Sequence, residues 1–272
     1  MSMAASFDEK VYLPGLNNGL FTWGLSFTRD EAGDGKLSWT ILQATLGYVQ
    51  QLADEWYLSG GVALGAGQRA FEADELFFGD QFNGDIFDPN LQTAEGFDQT
   101  SAGFFTLGSG LNLYFQDLDS RSKAYFGVAG HNFNQPGLSF FNQDKVQLPI
   151  RVGLHSMGLV QLDEHWDVGL QAQWQQQGPY QEIVVGGFGK LHLATEAGRE
   201  LAVRAGLGYR IGDALIAEAG VYYQNWRLVM SYDVNNSPFR VATNRRGGPE
   251  FSLRHILTKV KPPDEFKSCP IF

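Results

Sequence analysis

The sequence predicts an all-β protein, an antiparallel transmembrane β-barrel, and three observations carry that reading. Segments of about ten residues alternate apolar and polar side chains with period two. No run approaches the roughly 18 consecutive apolar residues that a membrane-crossing helix needs. Short and long connections sort by turns along the chain, as they do in barrels with tight turns at one rim and long loops at the other.

The clearest segment is 148–177. Ile150, Val152, Leu154 and Val160 share one parity, against Arg151, Gly153, His155 and Gln161 on the other. Asp163, Glu164 and His165 turn the chain. Trp166, Val168, Leu170, Ala172 and Trp174 then oppose Asp167, Gly169, Gln171, Gln173 and Gln175. Such a hairpin has one oily and one wet face, and its arms match the 9–11 or so residues of an obliquely crossing strand.

Composition agrees. Charged residues make up 18% of the 272-residue chain, against about 25% in ordinary soluble domains. There are 33 Gly and 21 Phe, as expected where a coiled sheet needs small residues and an apolar band. The net charge of −10 argues against nucleic acid as a partner. One cysteine, Cys269, rules out an internal disulfide framework. The opening MSMAASFDEK has neither a basic nor an apolar leader region, so it is no signal peptide. The sequence is nevertheless expected to belong in the outer membrane and to lack its true N-terminus.

In chain order, the alternation predicts about twelve strands. They cover 20–29, 37–51, 56–71, 100–116, 123–132, 148–162, 166–176, 181–192, 201–211, 214–224, 227–234 and 249–258. Residues 1–19 read as a remnant of an N-terminal segment, 20–258 as the barrel and 259–272 as a periplasmic tail; a missing hairpin would bring the total to about fourteen strands. The short connections are 53–55, 117–122, 163–165, 178–180 and 225–226; the long ones are 30–36, 72–99, 133–147 and 235–248, with 212–213 as an exception. The short set, with both chain ends, is assigned to the periplasmic side.

The even-parity row puts Arg204 and Arg210 opposite Leu207 and Tyr209, so with Arg151 and His155 they are expected to face the lumen, because Arg in lipid costs about 2–4 kcal/mol at the midplane. Metal binding finds little support. The acidic loop 72–99 lacks EF-hand spacing, and the five histidines show no paired zinc spacing. His155 and Ser156 are adjacent, so on a strand they point to opposite faces and cannot act together. No nucleophile elbow, P-loop or dinucleotide fingerprint is present. The aromatics Trp56, Tyr57, Trp166, Trp174, Tyr222, Tyr223 and Trp226 are expected to form interfacial girdles. The chain is therefore expected to have no enzymatic activity, cofactor or metal.

The order of several motifs adds a second line. They are DEAGDGKLSWT at 30–40, LFFGDQFNGDIFDP at 76–89, FGVAGHNFNQPGLSFF at 126–141, LPIRVGLHSMG at 148–158, QQQGPYQEIVVGGF at 175–188, RRGGPEFSLRHI at 245–256 and the terminal CPIF. Together these resemble the PorP/SprF family of outer-membrane proteins of the type IX secretion system of Bacteroidetes. The resemblance implies a barrel working with the secretion and gliding machinery, helping to export or anchor a surface adhesin. It implies contact with the adhesin, with secretion subunits on the periplasmic side, and with outer-membrane lipid. It supplies no catalytic residues. Motif positions that are candidates for partner contact or loop architecture are Gly79, Asp80, Phe87, Asp88, His131, Asn132, Pro136, Gly137, Arg245 and Arg246. The alternative reading is an outer-membrane channel or transporter for small or apolar solutes.

Overall fold

A computed structural model of the chain describes residues 1–13, 16, 18–73, 76–84, 86–88, 91, 93–94, 96, 99–140, 146–196, 198–237 and 246–257. The strands are β1 (Ser2–Val11), β2 (Gly19–Ala32), β3 (Leu37–Ala53), β4 (Trp56–Ala70), β5 (Phe82–Asn83), β6 (Ile86–Phe87), β7 (Ser101–Gln116) and β8 (Lys123–His131). They continue as β9 (Arg151–Gln161), β10 (Trp166–Gln177), β11 (Tyr180–Ala194), β12 (Leu201–Arg210), β13 (Ala214–Tyr223), β14 (Trp226–Asn235) and β15 (Arg246–His255). Thirteen of them form one sheet in simple chain order, interrupted only by the small β5–β6 hairpin, which pairs with itself. Every pair whose register is described is antiparallel. No described helix is long and apolar enough to cross a membrane.

The chain divides into two compact units. The first comprises 1–159 with 171–184, and the second 160–170 with 185–272. In each, the period-two pattern becomes a sheet with an apolar and a polar face. Across the first unit Trp23, Leu46, Val62 and Ser109 stand opposite one another in a single row, as do Gly24, Thr45, Ala63 and Gly108 on the other face. A slip of one residue would exchange the two faces, so the pattern fixes the register. Apolar-face side chains stay open to their surroundings, Leu46 at 61% and Phe105 at 73%, while Phe104, next in the chain, is 6% exposed on the polar face.

All twelve expected strands are present, and a thirteenth, β1, precedes them. Residues 2–11, expected as a remnant, pair along their whole length with β2. The alternation in β1 is masked by Asp8, Glu9 and Lys10 in succession, with Glu9 in the apolar row opposite Trp23. The extra strand corrects the expectation that both chain ends share the short-turn end. Met1 lies beside the 33–36 turn, its backbone oxygen accepting from the N–H of Glu31 at 2.9 Å.

A second correction concerns the turn between β10 and β11. Strand alternation puts it with the long connections, and Gln177 Nε2 donates to the Pro149 carbonyl at 3.2 Å, at the end of the 132–150 connection. The short turns are built by aspartate. In the second unit Asp163 Oδ1 accepts from the N–H groups of His165 and Trp166 at 2.7 and 2.8 Å. In the first, Asp117 accepts from the N–H of Asp119 at 2.9 Å and the hydroxyl of Ser120 at 2.6 Å. Such side-chain turns reverse a strand without a separate loop.

Glycine matters most where neighbouring backbones crowd on the polar face. A Cβ at Gly61 would stand 3.0 Å from the Leu46 carbonyl oxygen and 3.4 Å from Gly47 Cα. At Gly103 its nearest neighbour would be a backbone oxygen at 3.8 Å. Gly61→Val is therefore expected to destabilise the fold by about 1–3 kcal/mol through overpacking, and Gly103→Ala to be near neutral. Urea unfolding in detergent, followed by tryptophan fluorescence, checks both.

Candidate functional site

Side chains with interacting charges gather on the polar face of the second unit. Asp167, the second residue of β10, is 1% exposed, and its Oδ2 lies 2.7 Å from Nε2 of His192 near the end of β11. Burial of a carboxylate is tolerated only with such a partner. Two residues further along β10, Gly169 leaves room for the Phe188 ring, which occupies the space a Cβ would need. The Arg204 guanidinium lies 3.6 Å from the centroid of that ring. Arg204 Nε also pairs with Glu218 Oε1 at 2.5 Å, and its Nη2 donates to Glu218 Oε2 at 3.3 Å. Glycine, phenylalanine, arginine and glutamate thus form one continuous stack over β10 to β13.

Toward the other end of this face Arg210 Nη1 bridges Asp213 at 3.1 Å and Asp233 at 3.0 Å. Near the short turns, the ring of Tyr222 receives Lys190 Nζ at 5.0 Å and the Arg227 guanidinium at 5.6 Å, distances at which a cation is held by the ring quadrupole. Tyr222, like Tyr57, which packs on Tyr114 with centroids 6.1 Å apart, lies on the polar face. Neither belongs to an interfacial girdle. Trp56 against Phe115 and Trp226 stacked on His255 are on the apolar face at strand ends.

The first unit places Arg151 opposite His131 and His155 opposite Gly127, all on the polar face. The His155 ring fills the space above Gly127 and meets the edge of Tyr125 at 5.7 Å.

Two of its long connections are folded by amide side chains. β7 runs beyond the end of β8, leaving backbone groups that need partners. The N–H of Phe133 donates to the Leu107 carbonyl at 3.0 Å. Asn134 then accepts from the N–H of Leu107 at 3.0 Å and donates to the Phe105 carbonyl at 2.7 Å, acting as one more residue of strand. The motif around it is set by left-handed backbone at Asn132 and Gln135. Asn132 Nδ2 reaches the Pro149 carbonyl at 3.4 Å, Pro136 accepts from the N–H of Leu148 at 2.9 Å, and Gly137 bridges Gln147.

In the 71–100 connection, Gln81 is the organiser. Its Oε1 accepts from the N–H of Phe78 at 2.8 Å and its Nε2 donates to the Leu91 carbonyl at 3.0 Å. Its backbone oxygen accepts from the N–H of Asp88 at 3.0 Å. Phe87 packs edge-on to Phe77 at 5.1 Å and against Phe82 at 5.3 Å. Asp80, beside Gly79 in the 3-10 turn Gly79–Gln81, accepts from the N–H of Ala94 at 2.5 Å and from the Thr93 hydroxyl at 3.0 Å. The Ala94 N–H first, with the Thr93 hydroxyl, holds the Asp80 carboxyl below its ordinary pKa. The two connections meet through Phe71 and Phe140, edge to face at 4.9 Å, with Arg69 over Phe140.

The motif residues thus fall into two loop clusters of the first unit, while Arg204 and Arg210 belong to the second. Arg245 lies outside the described residues; Arg246 is placed only as backbone, opposite Val234. Sequence reading missed Asp167, His192, Glu218 and Asp233 as partners, although each has polar-face parity. It also missed Gln81 and Asn134, whose motifs were noted without their roles. Among the described residues no three His, Cys, Asp or Glu side chains cluster as a metal site.

The profile of a family described as type IX secretion system membrane protein PorP/SprF matches residues 3–254. The chain belongs to the PorP/SprF family. It is therefore a membrane component of type IX secretion, its two-faced sheet being of the kind that crosses the outer membrane, and its family is one of secretion machinery and not of enzymes. Among curated proteins none matches. A solved structure of an outer membrane channel from Pseudomonas putida F1 is similar over 87% of this chain and 91% of that one, at 13% identity and a TM-score of 0.40; nothing further rests on so distant a likeness.

Two outcomes follow from the geometry. His192→Ala removes the imidazole from the buried Asp167 carboxylate and is expected to cost about 1–3 kcal/mol, while the double change Asp167→Leu with His192→Leu costs less; chemical unfolding of the three proteins in detergent separates these. Since the Asp80 pKa is depressed in the fold, its contribution to loop order is present at neutral pH and lost as pH falls through that lowered value. Limited proteolysis within 71–100 is expected to accelerate on acidification, and Asp80→Asn to be cut faster than the parent at neutral pH.

Proposed function

We propose that this PorP/SprF protein is a closed outer-membrane β-barrel that helps export or anchor a surface adhesin by docking it, or subunits of the secretion machine, at its periplasmic end. The observation that carries this reading is the family match across 3–254, laid on strands whose register in the first unit gives a sheet with an apolar face. A sheet spanning hydrocarbon must close on itself, since open edges would leave backbone groups without partners. The short-turn end is read as periplasmic because outer-membrane barrels keep their tight turns there. Its turns carry carboxylates, Asp54 and Glu55 or Asp117 and Asp119 in the first unit and Asp163 and Glu164 in the second, which suits a polar docking partner. The folded connections 71–100 and 132–150 are then external.

A channel for small or apolar solutes gains nothing from the second unit's polar face, where Arg204 and Arg210 are both held in ion pairs. Deleting the gene is expected to remove the adhesin from the cell surface, and the tagged protein to co-purify from outer membranes with secretion subunits. Recovery of the protein alone, together with unchanged adhesin secretion in the deletion strain, would refute the docking role.

A further inference from the structure

A furrow of about 1040 Å³ crosses the apolar face of the first unit. It lies between two rows of side chains set by the strand register. One row runs Val11, Phe21, Tyr48, Gly60, Leu111 and Val128, each opposite the next on successive strands. The other runs Trp23, Leu46, Val62, Ser109, Gly130 and Val152. Between them the floor is backbone, because the intervening row, Thr22, Gly47, Gly61, Gly110 and Ala129, points its side chains to the polar face, while Gly60 in one wall leaves a gap and the Phe133 ring covers Gly130 in the other.

The shape and chemistry of the furrow select a ligand. Spanning seven strands at about 4.8 Å spacing, it is roughly 29 Å long, so it suits a linear molecule rather than a compact one. Its walls are hydrocarbon and aromatic except for Ser109 and, where the second row reaches β1, Glu9 opposite Trp23. The Tyr48 hydroxyl is already committed, donating to Gln50 Oε1 at 2.8 Å. A molecule lying here is met mainly by apolar contact, the Ser109 hydroxyl being the polar exception in the two rows from β2 to β9. The furrow is also continuous with the surface that meets the membrane, since the next row along the strands contains Leu25, Leu64 and Leu107, all exposed. With strands tilted about 35–45° in a barrel, the hydrogen-bonding direction runs obliquely through the bilayer, and a furrow of this length stays within the roughly 30 Å hydrocarbon layer.

We propose that this furrow is a specific binding site for an acyl chain of an outer-membrane lipid. The chain lies across the strands, between the two rows, and fills the gap left by Gly60. A bound lipid distinguishes this stretch of the apolar face from the rest, which meets only exchanging lipid.

The test uses the full chain in outer membranes carrying a phospholipid with a diazirine on one acyl chain. After illumination, the labelled residues are mapped by mass spectrometry. Labelling is expected at Phe21, Leu46 and Val62 in excess over Leu64 and Phe105, although Leu64 at 58% is close to Leu46 at 61% and Phe105 at 73% is more exposed than all three. Gly60→Leu fills the furrow, and the nearest atom to its Cβ is the flexible tip of Leu111 at 3.0 Å, so the fold accommodates it. Displacing two methylene groups is worth on the order of tenfold in occupancy, and furrow labelling is expected to fall by about that factor. Leu64→Ala leaves it unchanged. Ser109→Leu, which narrows the furrow from another strand, gives the same loss should Gly60→Leu fail to fold, as judged by heat-modifiable gel migration. Labelling that simply follows exposure along the apolar face, meaning adventitious annular lipid only, would overturn the proposal. So would furrow labelling unaffected by the filling substitutions, or cross-links from furrow residues to a second protein.

Discussion

Backbone pairing under a membrane is the constraint on which everything else depends. A strand in hydrocarbon has no water to satisfy its N–H and C=O groups, so each must find them in its neighbours. The chain meets this with a sheet whose strands pair in simple sequence order, so that each added strand covers the edge of the last. Once pairing is fixed, side chains can only alternate, and the choice of residue at each parity decides which face meets lipid. Long strands such as β3, at 17 residues, then leave ends that stand clear of the bilayer and carry the loops.

The same constraint explains why amide side chains organise the loops. Where β7 outruns β8, unpaired backbone groups are exposed at a sheet edge, and Asn134 supplies both a donor and an acceptor in their place. Gln81 does the equivalent work in the acidic loop, tying Phe78 to Leu91 across thirteen residues of chain. Asn134 thereby extends the main sheet, while Gln81 holds together a connection whose own hairpin pairs with itself.

On the polar face the governing problem is desolvated charge. Asp167, Arg204 and Arg210 each have an oppositely charged or ionisable partner on another strand or in an adjacent turn. Removing one member of such a pair is costlier than replacing both. The Phe188 ring links two of these arrangements because Gly169 leaves a space beneath it and Arg204 stacks above it. A polar face so interlocked holds the strands of the second unit in position.

The sequence by itself determined the strands, their two faces, the parity of Arg151, His155, Arg204 and Arg210, and the family, because period-two alternation and ordered motifs are local properties of the chain. It concealed β1, where three consecutive charged residues hide the alternation, and with it the end at which Met1 lies. Only the tertiary structure decided who pairs with whom. Asp167 with His192, Arg204 with Glu218 and Arg210 with Asp233 are diagonal or distant contacts that depend on register and shear across strands, and parity alone carries no information about either. The furrow is of the same kind. Gly60 and Ser109 are unremarkable in sequence, separated by forty-nine positions, and become neighbours on one surface because Val62 and Ser109 face each other across paired strands.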